Sequence, residues 1–508
     1  MKLLEDKEIA LAKWCLDTCL RYGAREARVT LSKSEENTVS VRDACVDKIY
    51  SSLERSLSLA LYVDARYGRF STNLLQTESL EAFIKEAVRS VSLLAPDECR
   101  HLPDAALQAE SCPEGDGTDY LDENFYAVTQ EDRMAAALSS GTLPYTEVGG
   151  CVILSVESEY TDGIYDEYIA DTGGFEGRHT ESLAKLDCSV TLQDQAGMRH
   201  EGYWWTAAKG YSALSADVLP SGDTSCAGAV SAEALSPCGA APDAFAASAV
   251  SQPSAGIASA ASVEALSPAV SVGNAVLNEA VRRALRAVGP VGISGGKYRV
   301  VVEQSCASRL VSALIDALDG YSVHQRLSFL ADALDCKVFS EHLTMYDRPF
   351  GPSLSGSRRY DAEGVSTKEA AIIENGVVKS FFVNTFISGK TGLPVSADSF
   401  TRPCFEPFIW NCPQKEISLK DILSAVGSGL MVTGFNGGNV NPATGNFSFG
   451  VEGMIIENGV ATSPVRGLLM TGNLVSLFGK LLAVGSDTRS CSAWQIPSFA
   501  FDEVDINA

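Results

Sequence analysis

The hexapeptide IIENGV occurs twice, at residues 372–377 and 455–460, each time between apolar residues that read as strand. Asn-Gly supplies the two successive positive φ angles of a type I′ turn, the two-residue connection whose twist matches that of a β-hairpin. Both copies therefore predict hairpin tips, and the last third of the chain is committed to antiparallel sheet. The second copy lies in NPATGNFSFGVEGMIIENGV, residues 441–460, which holds neither His nor Cys and reads as scaffold.

Period-2 patterns also mark the beginning of the chain. ARVTLS, NTVSVRDACVDKIYSS and SLSLALYVDARYGRFSTN read as strands, with Leu57, Leu59, Leu61 and Val63 alternating before a turn at Asp64 to Gly68. Helical spacing brackets them. Ile9, Ala12, Leu16, Cys19 and Leu20 form an apolar stripe over residues 5–22, with Gly23 as a C-terminal cap. Leu80, Phe83, Ile84, Ala87, Val88 and Val91 form a second, and a third helix is expected from Thr129. CVILSVESEY, IYDEYIAD and LAKLDCSVTLQ predict a second meander. The expected class is α+β, divided into an N-terminal helix-and-meander domain (1–145), a middle region (146–294) and a β-rich C-terminal domain (295–508).

Within the middle region, residues 215–272 turn abruptly to Ala, Ser, Gly and Pro, and SAEALSP at 231–237 recurs as SVEALSP at 262–268. Such a composition buries too little apolar area to offset chain entropy, so it predicts a flexible insertion. Helical pattern resumes at NAVLNEAVRRALRAVG. In RLVSALIDALDG, the polar residues Ser312, Asp316 and Asp319 share one stripe and Leu310, Val311, Leu314, Ile315 and Leu318 cover the rest, which predicts a mostly buried helix over 309–319.

At 508 residues the chain exceeds what one core supports, so several domains are expected. Its net charge of −24 argues against sequence-independent nucleic-acid binding, which draws its affinity from Lys and Arg replacing counterions along the phosphates. MKLLEDKEIA is interrupted by acids, no apolar run is long enough to span a bilayer, and the 14 cysteines form no CxxC pair. These features predict a cytoplasmic protein with reduced thiols. Cys15 and Cys19 lie one helical turn apart, but no nearby His completes a metal site, and core packing is the expected role.

Local chemistry is sparse. The five histidines are His101, His179, His200, His324 and His342. His200 and Glu201 begin an HExxH, but Trp204 and Trp205 stand where a second His would close a zinc site. No nucleophile elbow, P-loop or dinucleotide fingerprint occurs, so no catalytic group is expected from residue patterns alone. Asn73, Asn436, Asn439 and Asn441, in turn-forming loops, could offer amides to a peptide backbone, and turn formation explains each equally well.

Longer segments carry more information. SFLADALDCKVFSEHLTMYD, YDAEGVSTKEAAIIENGVVKSFF, NPATGNFSFGVEGMIIENGVATSPVRGLLMTGNL and AVGSDTRS resemble, in content and order, the TldD/PmbA (TldD/TldE) family, also labelled modulators of DNA gyrase. NTVSVRDACVDKIYSS and LALYVDARYGRFSTN are similar to that family's first domain, so the resemblance spans the chain outside the Ala/Ser-rich insertion.

The resemblance implies two related chain types: a TldD type with HExxxH on a helix and a C-terminal Cys as zinc ligands, and a TldE/PmbA type without that motif. Here the helix is RLVSALIDALDG, with the histidine positions near Ala313 and Leu318 and the glutamate near Leu314. Apolar side chains neither ligate zinc nor activate water, which points to the TldE/PmbA type even though Cys491 lies near the family's cysteine. The implied function is that of a non-catalytic subunit working on unfolded peptides, with zinc held by a TldD-like partner. A homodimer on the same surfaces, a stand-alone binding or regulatory protein, and an independent peptidase using Asp316, Asp319, His324 or Cys491 are the alternatives.

Overall fold

The computed structural model describes residues 3–118, 120–214, 268–351, 355–396, 402–410 and 416–508. Most of the Ala/Ser-rich segment lies outside these residues, so its expected flexibility does too. At its end, helix begins at Pro268, inside the stretch expected to be flexible as far as residue 272.

The first half opens with α1 (Asp6–Arg21), β1 (Glu26–Arg42), β2 (Cys45–Val63), β3 (Arg66–Thr72) and α2 (Thr77–Val91). Then come α3 (Gln130–Gly141), β4 (Glu147–Val148), β5 (Cys151–Asp171), β6 (Glu176–Gln193), β7 (Arg199–Ala208) and α4 (Pro268–Arg286). The strands make one antiparallel sheet in the order β3-β2-β1-β5-β6-β7, with β4 beside β5. This sheet crosses residue 145. The regions separated there by sequence share one layer, because β1 pairs with β5 along its length from Arg28↔Asp171 to Arg42↔Glu157.

Local chemistry explains the hairpins. Asp43 and Ala44 (φ 49° and 63°) turn β1 into β2, and Asp64 and Ala65 (φ 45° and 59°) turn β2 into β3. The alternating Leu57, Leu59, Leu61 and Val63 are all buried, against α1 and α2. Thr129 caps α3 by accepting from the Asp132 N–H at 3.1 Å, while Asp132 accepts from the Thr129 N–H at 2.9 Å. α3 and α4 cover the β5–β7 half of the sheet around Trp204, Leu186 and Val190.

The second half comprises β8 (Gly296–Val302), α5 (Ser308–Leu318), α6 (Gly320–His324), β9 (Met345–Asp347), β10 (Ala370–Glu374), β11 (Val377–Val378) and α7 (Thr385–Thr391). It continues through β12 (Pro403–Phe405), β13 (Phe408–Ile409), α8 (Leu419–Val426), β14 (Gly429–Val440) and β15 (Asn446–Glu457). β16 (Val460–Asn473), α9 (Leu474–Gly479), β17 (Leu481–Val484) and β18 (Phe499–Asn507) complete it.

Here β8, β14, β15, β16 and β18 close into a ring, since β18 pairs with both β16 and β8. The β8–β14 pair is parallel. Both Asn-Gly pairs adopt the expected turn, with φ of 49° and 78° at Asn375 and Gly376 and 52° and 78° at Asn458 and Gly459. The chain is α+β as expected.

Candidate functional site

The helix α5 carries the positions at which the family resemblance would place metal ligands. Leu310, Val311, Leu314, Ala317 and Leu318 all face the C-terminal core, and Leu314 and Leu318 are fully buried there. Ala313 packs against the same core. The polar stripe is turned to other uses. Asp316 is exposed, and Asp319 caps α6 by accepting from the Ser322 N–H at 2.8 Å. His324 is exposed, and Cys491 is a buried thiol whose pKa burial pushes up. Among the described residues no three of His, Cys, Asp and Glu come together to hold a metal ion. A zinc ion does not fit the side chains of α5.

The remaining histidines have structural surroundings. His179 is buried with Nδ1 2.8 Å from Asp116 and Nε2 3.5 Å from Glu181. His200, the start of the incomplete HExxH, places Nε2 2.9 Å from Asp194. His342 stacks on Phe408 with ring centroids 3.6 Å apart, and His101 Nδ1 lies 2.7 Å from the Leu102 carbonyl. Cys15 and Cys19 are wholly buried, and burial pushes both thiols up to about 12, which suits packing.

The four asparagines are not brought to one place. Asn73 follows β3 in the first sheet, whereas Asn436, Asn439 and Asn441 lie on the β14–β15 hairpin of the second. Asn436 occupies a bulge and donates through Nδ2 to Glu452 at 3.1 Å. Asn439 pairs with Ser448 in the ladder, and Asn441 Oδ1 accepts from the Ala443 and Thr444 N–H groups at 3.0 and 3.2 Å. The amides of Asn436 and Asn441 thus support the hairpin's own geometry.

A cavity of about 350 Å³ opens where β6, β7 and α4 meet β14–β16. Its walls carry Trp204, Trp205, Arg283, Arg286, Arg466 and Arg489, together with the carboxylates of Glu201 and Glu452. Local sequence sets these positions. Gly202 on β7 is so close to α4 that an added Cβ would lie 2.0 Å from the Ala280 carbonyl oxygen, which lets the helix seat beside the two indoles.

Arg283 is anchored. It donates to Glu303 through both Nη atoms at 3.1 Å and to Glu279 through Nε at 2.9 Å. Its guanidinium lies 4.2 Å from the Trp204 ring centroid, and that of Arg489 lies 4.1 Å from Trp204 and 4.2 Å from Trp205. Arg489 also donates to the Trp205 carbonyl. Sequence reasoning counted Trp204 and Trp205 only as the residues that spoil a zinc motif and did not single out the arginines, whose partners are distant in the chain.

This architecture joins a helix-flanked antiparallel sheet to a closed β-ring, with the apolar face of α5 in the core of the second half, and defines a two-part α+β class. Residues 295–508 match the PmbA/TldA metallopeptidase C-terminal domain. A crystal structure from Bacteroides thetaiotaomicron, of a candidate modulator of DNA gyrase, is 30% identical, with full coverage of both chains and a TM-score of 0.82. The chain belongs to the PmbA/TldD family. It is 22% identical to the metalloprotease PmbA of Escherichia coli O157:H7 over 94% of this chain and 92% of that one. TldE from Thermococcus kodakarensis shares the fold, at 16% identity and a TM-score of 0.73 over 98% of this chain and 100% of that one. Among the described residues no helix is long and apolar enough to cross a membrane.

Proposed function

We propose that this chain is a non-catalytic, TldE-like subunit of a cytoplasmic zinc metallopeptidase, pairing with a TldD-like chain that carries HExxxH and the zinc. The observation that carries the reading is that Leu314 and Leu318 of α5, which the family resemblance sets near the general-base and ligand positions, are fully buried. A side chain with no lone pair cannot coordinate zinc or accept a proton from water.

A second feature supports pairing. Residues 45–56 of β2 bond to β1 on one side and to no other strand among the described residues, since β3 reaches only from Leu57 to Val63. Ile49, Tyr50 and Leu53 are 55%, 54% and 64% exposed along this stretch. A long open edge with apolar side chains is suited to adding a partner strand. The substrates are unfolded peptides, which the partner cleaves while this chain helps to hold them.

The test is hydrolysis of an unfolded test protein by this chain alone, by a TldD-like chain alone and by the two together, with zinc supplied. The expected result is no cleavage by this chain alone and cleavage by the pair, abolished when the glutamate of the partner's HExxxH is replaced. Zinc-dependent cleavage by this chain alone would overturn the reading.

A further inference from the structure

We propose that the cavity between β7, α4 and the C-terminal sheet binds the terminal carboxylate of a short peptide, with Arg489 as the group that receives it. The proposal rests on the reading of this chain as part of a peptidase, and it adds a ligand subsite within this chain.

Arg489 is built into place without a counter-charge. Its guanidinium is flanked by the Trp204 and Trp205 rings at 4.1 and 4.2 Å. One Nη donates to the Trp205 carbonyl, and Nε is buried with no acceptor. No carboxylate among the described residues lies within ion-pair distance of it, whereas its neighbour Arg283 is held by both Glu279 and Glu303. A guanidinium held in partly buried surroundings with no carboxylate to balance it is an unfavourable arrangement until an oxyanion supplies the missing charge. Stacking on the indoles leaves the edge of the guanidinium for a planar, two-oxygen acceptor, the geometry of a carboxylate.

The rest of the wall selects among oxyanions. Arg286 and Arg466 add positive charge, but Glu201 and Glu452 line the same space. Two carboxylates oppose a dianion such as phosphate, whereas they can accept hydrogen bonds from the amide or ammonium N–H groups that accompany a peptide's carboxylate. A volume of about 350 Å³ lies at the lower end of ordinary ligand pockets and accommodates a few residues, not a folded chain.

Isothermal titration of the full chain with an alanine tripeptide, its C-terminal amide and inorganic phosphate tests this directly. The free acid should bind and the amide should bind at least about tenfold more weakly, because a charge-assisted pair is replaced by a neutral contact. Phosphate should not displace the tripeptide. R489Q should lose the preference for acid over amide, and circular dichroism would establish that the variant is folded. Should R489Q not fold, the acid-to-amide comparison on the unaltered chain still decides. Equal binding of acid and amide, no binding of either, or tighter binding of phosphate would each overturn the proposal. The assay needs no second subunit, so its failure is distinct from failure to find a catalytic partner.

Discussion

Replacing Leu318 by Ala tests whether α5 is core. Leu318 is fully buried, and its neighbours in the cluster include Leu314, Phe381 and Phe382. Truncation removes buried methyl groups and leaves a cavity in the core of the second half. Leu-to-Ala changes of this kind cost about 2–5 kcal/mol, and the complete burial of Leu318 favours the upper half of that range. D316A, on the exposed stripe of the same helix, should cost less than about 0.5 kcal/mol. Urea titration followed by tryptophan fluorescence and far-UV dichroism would compare the midpoints. A chain of several cooperative units need not unfold in one step, so the comparison concerns the transition that L318A moves. If L318A and D316A shift that transition equally, α5 is not the core element described here, and the argument against metal binding on it fails with that result.

Other outcomes follow from the same packing. Burial alone would lower the pKa of His179, but Asp116 and Glu181 override it and raise it to about 9 from an ordinary 6.5. The raised value means that His179 contributes stability fully below pH ~6.5 and loses it as pH rises through about 9, a difference of roughly 3 kcal/mol. H179Q should therefore destabilise the chain at pH 6 and much less at pH 9.5 in thermal melts, and an unchanged gap would refute the assignment. Asp166 accepts from Arg178 at 2.9 and 2.5 Å and from the Leu3 and Leu4 N–H groups at 2.7 and 2.9 Å. D166A should cost about 3–5 kcal/mol by leaving the buried Arg178 charge unpaired, and limited proteolysis should then release the N-terminal residues faster. A Cβ on Gly376 would lie 2.4 Å from the Phe339 carbonyl oxygen at a φ of 78°, whereas one on Gly467 would meet nothing within 4 Å at 71°. G376A should thus lower the melting temperature clearly, and G467A should cost only the roughly 1 kcal/mol of a left-handed backbone.

The features legible in sequence are those fixed by near neighbours. Asn375-Gly376 and Asn458-Gly459 form the expected turns, Thr129 caps the expected helix, and Leu57 to Val63 alternate into the core, because turn φ angles, caps and pleats depend on residues a few positions apart. What needed distant partners was not legible. CVILSVESEY and IYDEYIAD read as two strands but form one, β5, because β1 and β6 flank it continuously past Gly163. The same pairing carries the first sheet over residue 145. The cavity joins Trp204 and Trp205, Arg283 and Arg489, whose positions along the chain give no local signal that they meet. Family resemblance supplied what spacing could not, the significance of α5.

The central claim is that this chain works as half of a peptidase. Its most direct test is a tagged purification from the native host at moderate salt, with mass spectrometry and stoichiometry of whatever co-elutes. The account expects a second PmbA/TldD-family chain containing HExxxH, at near-equal amount and carrying the zinc of the complex. Recovery of this chain alone, as monomer or homodimer, would contradict it.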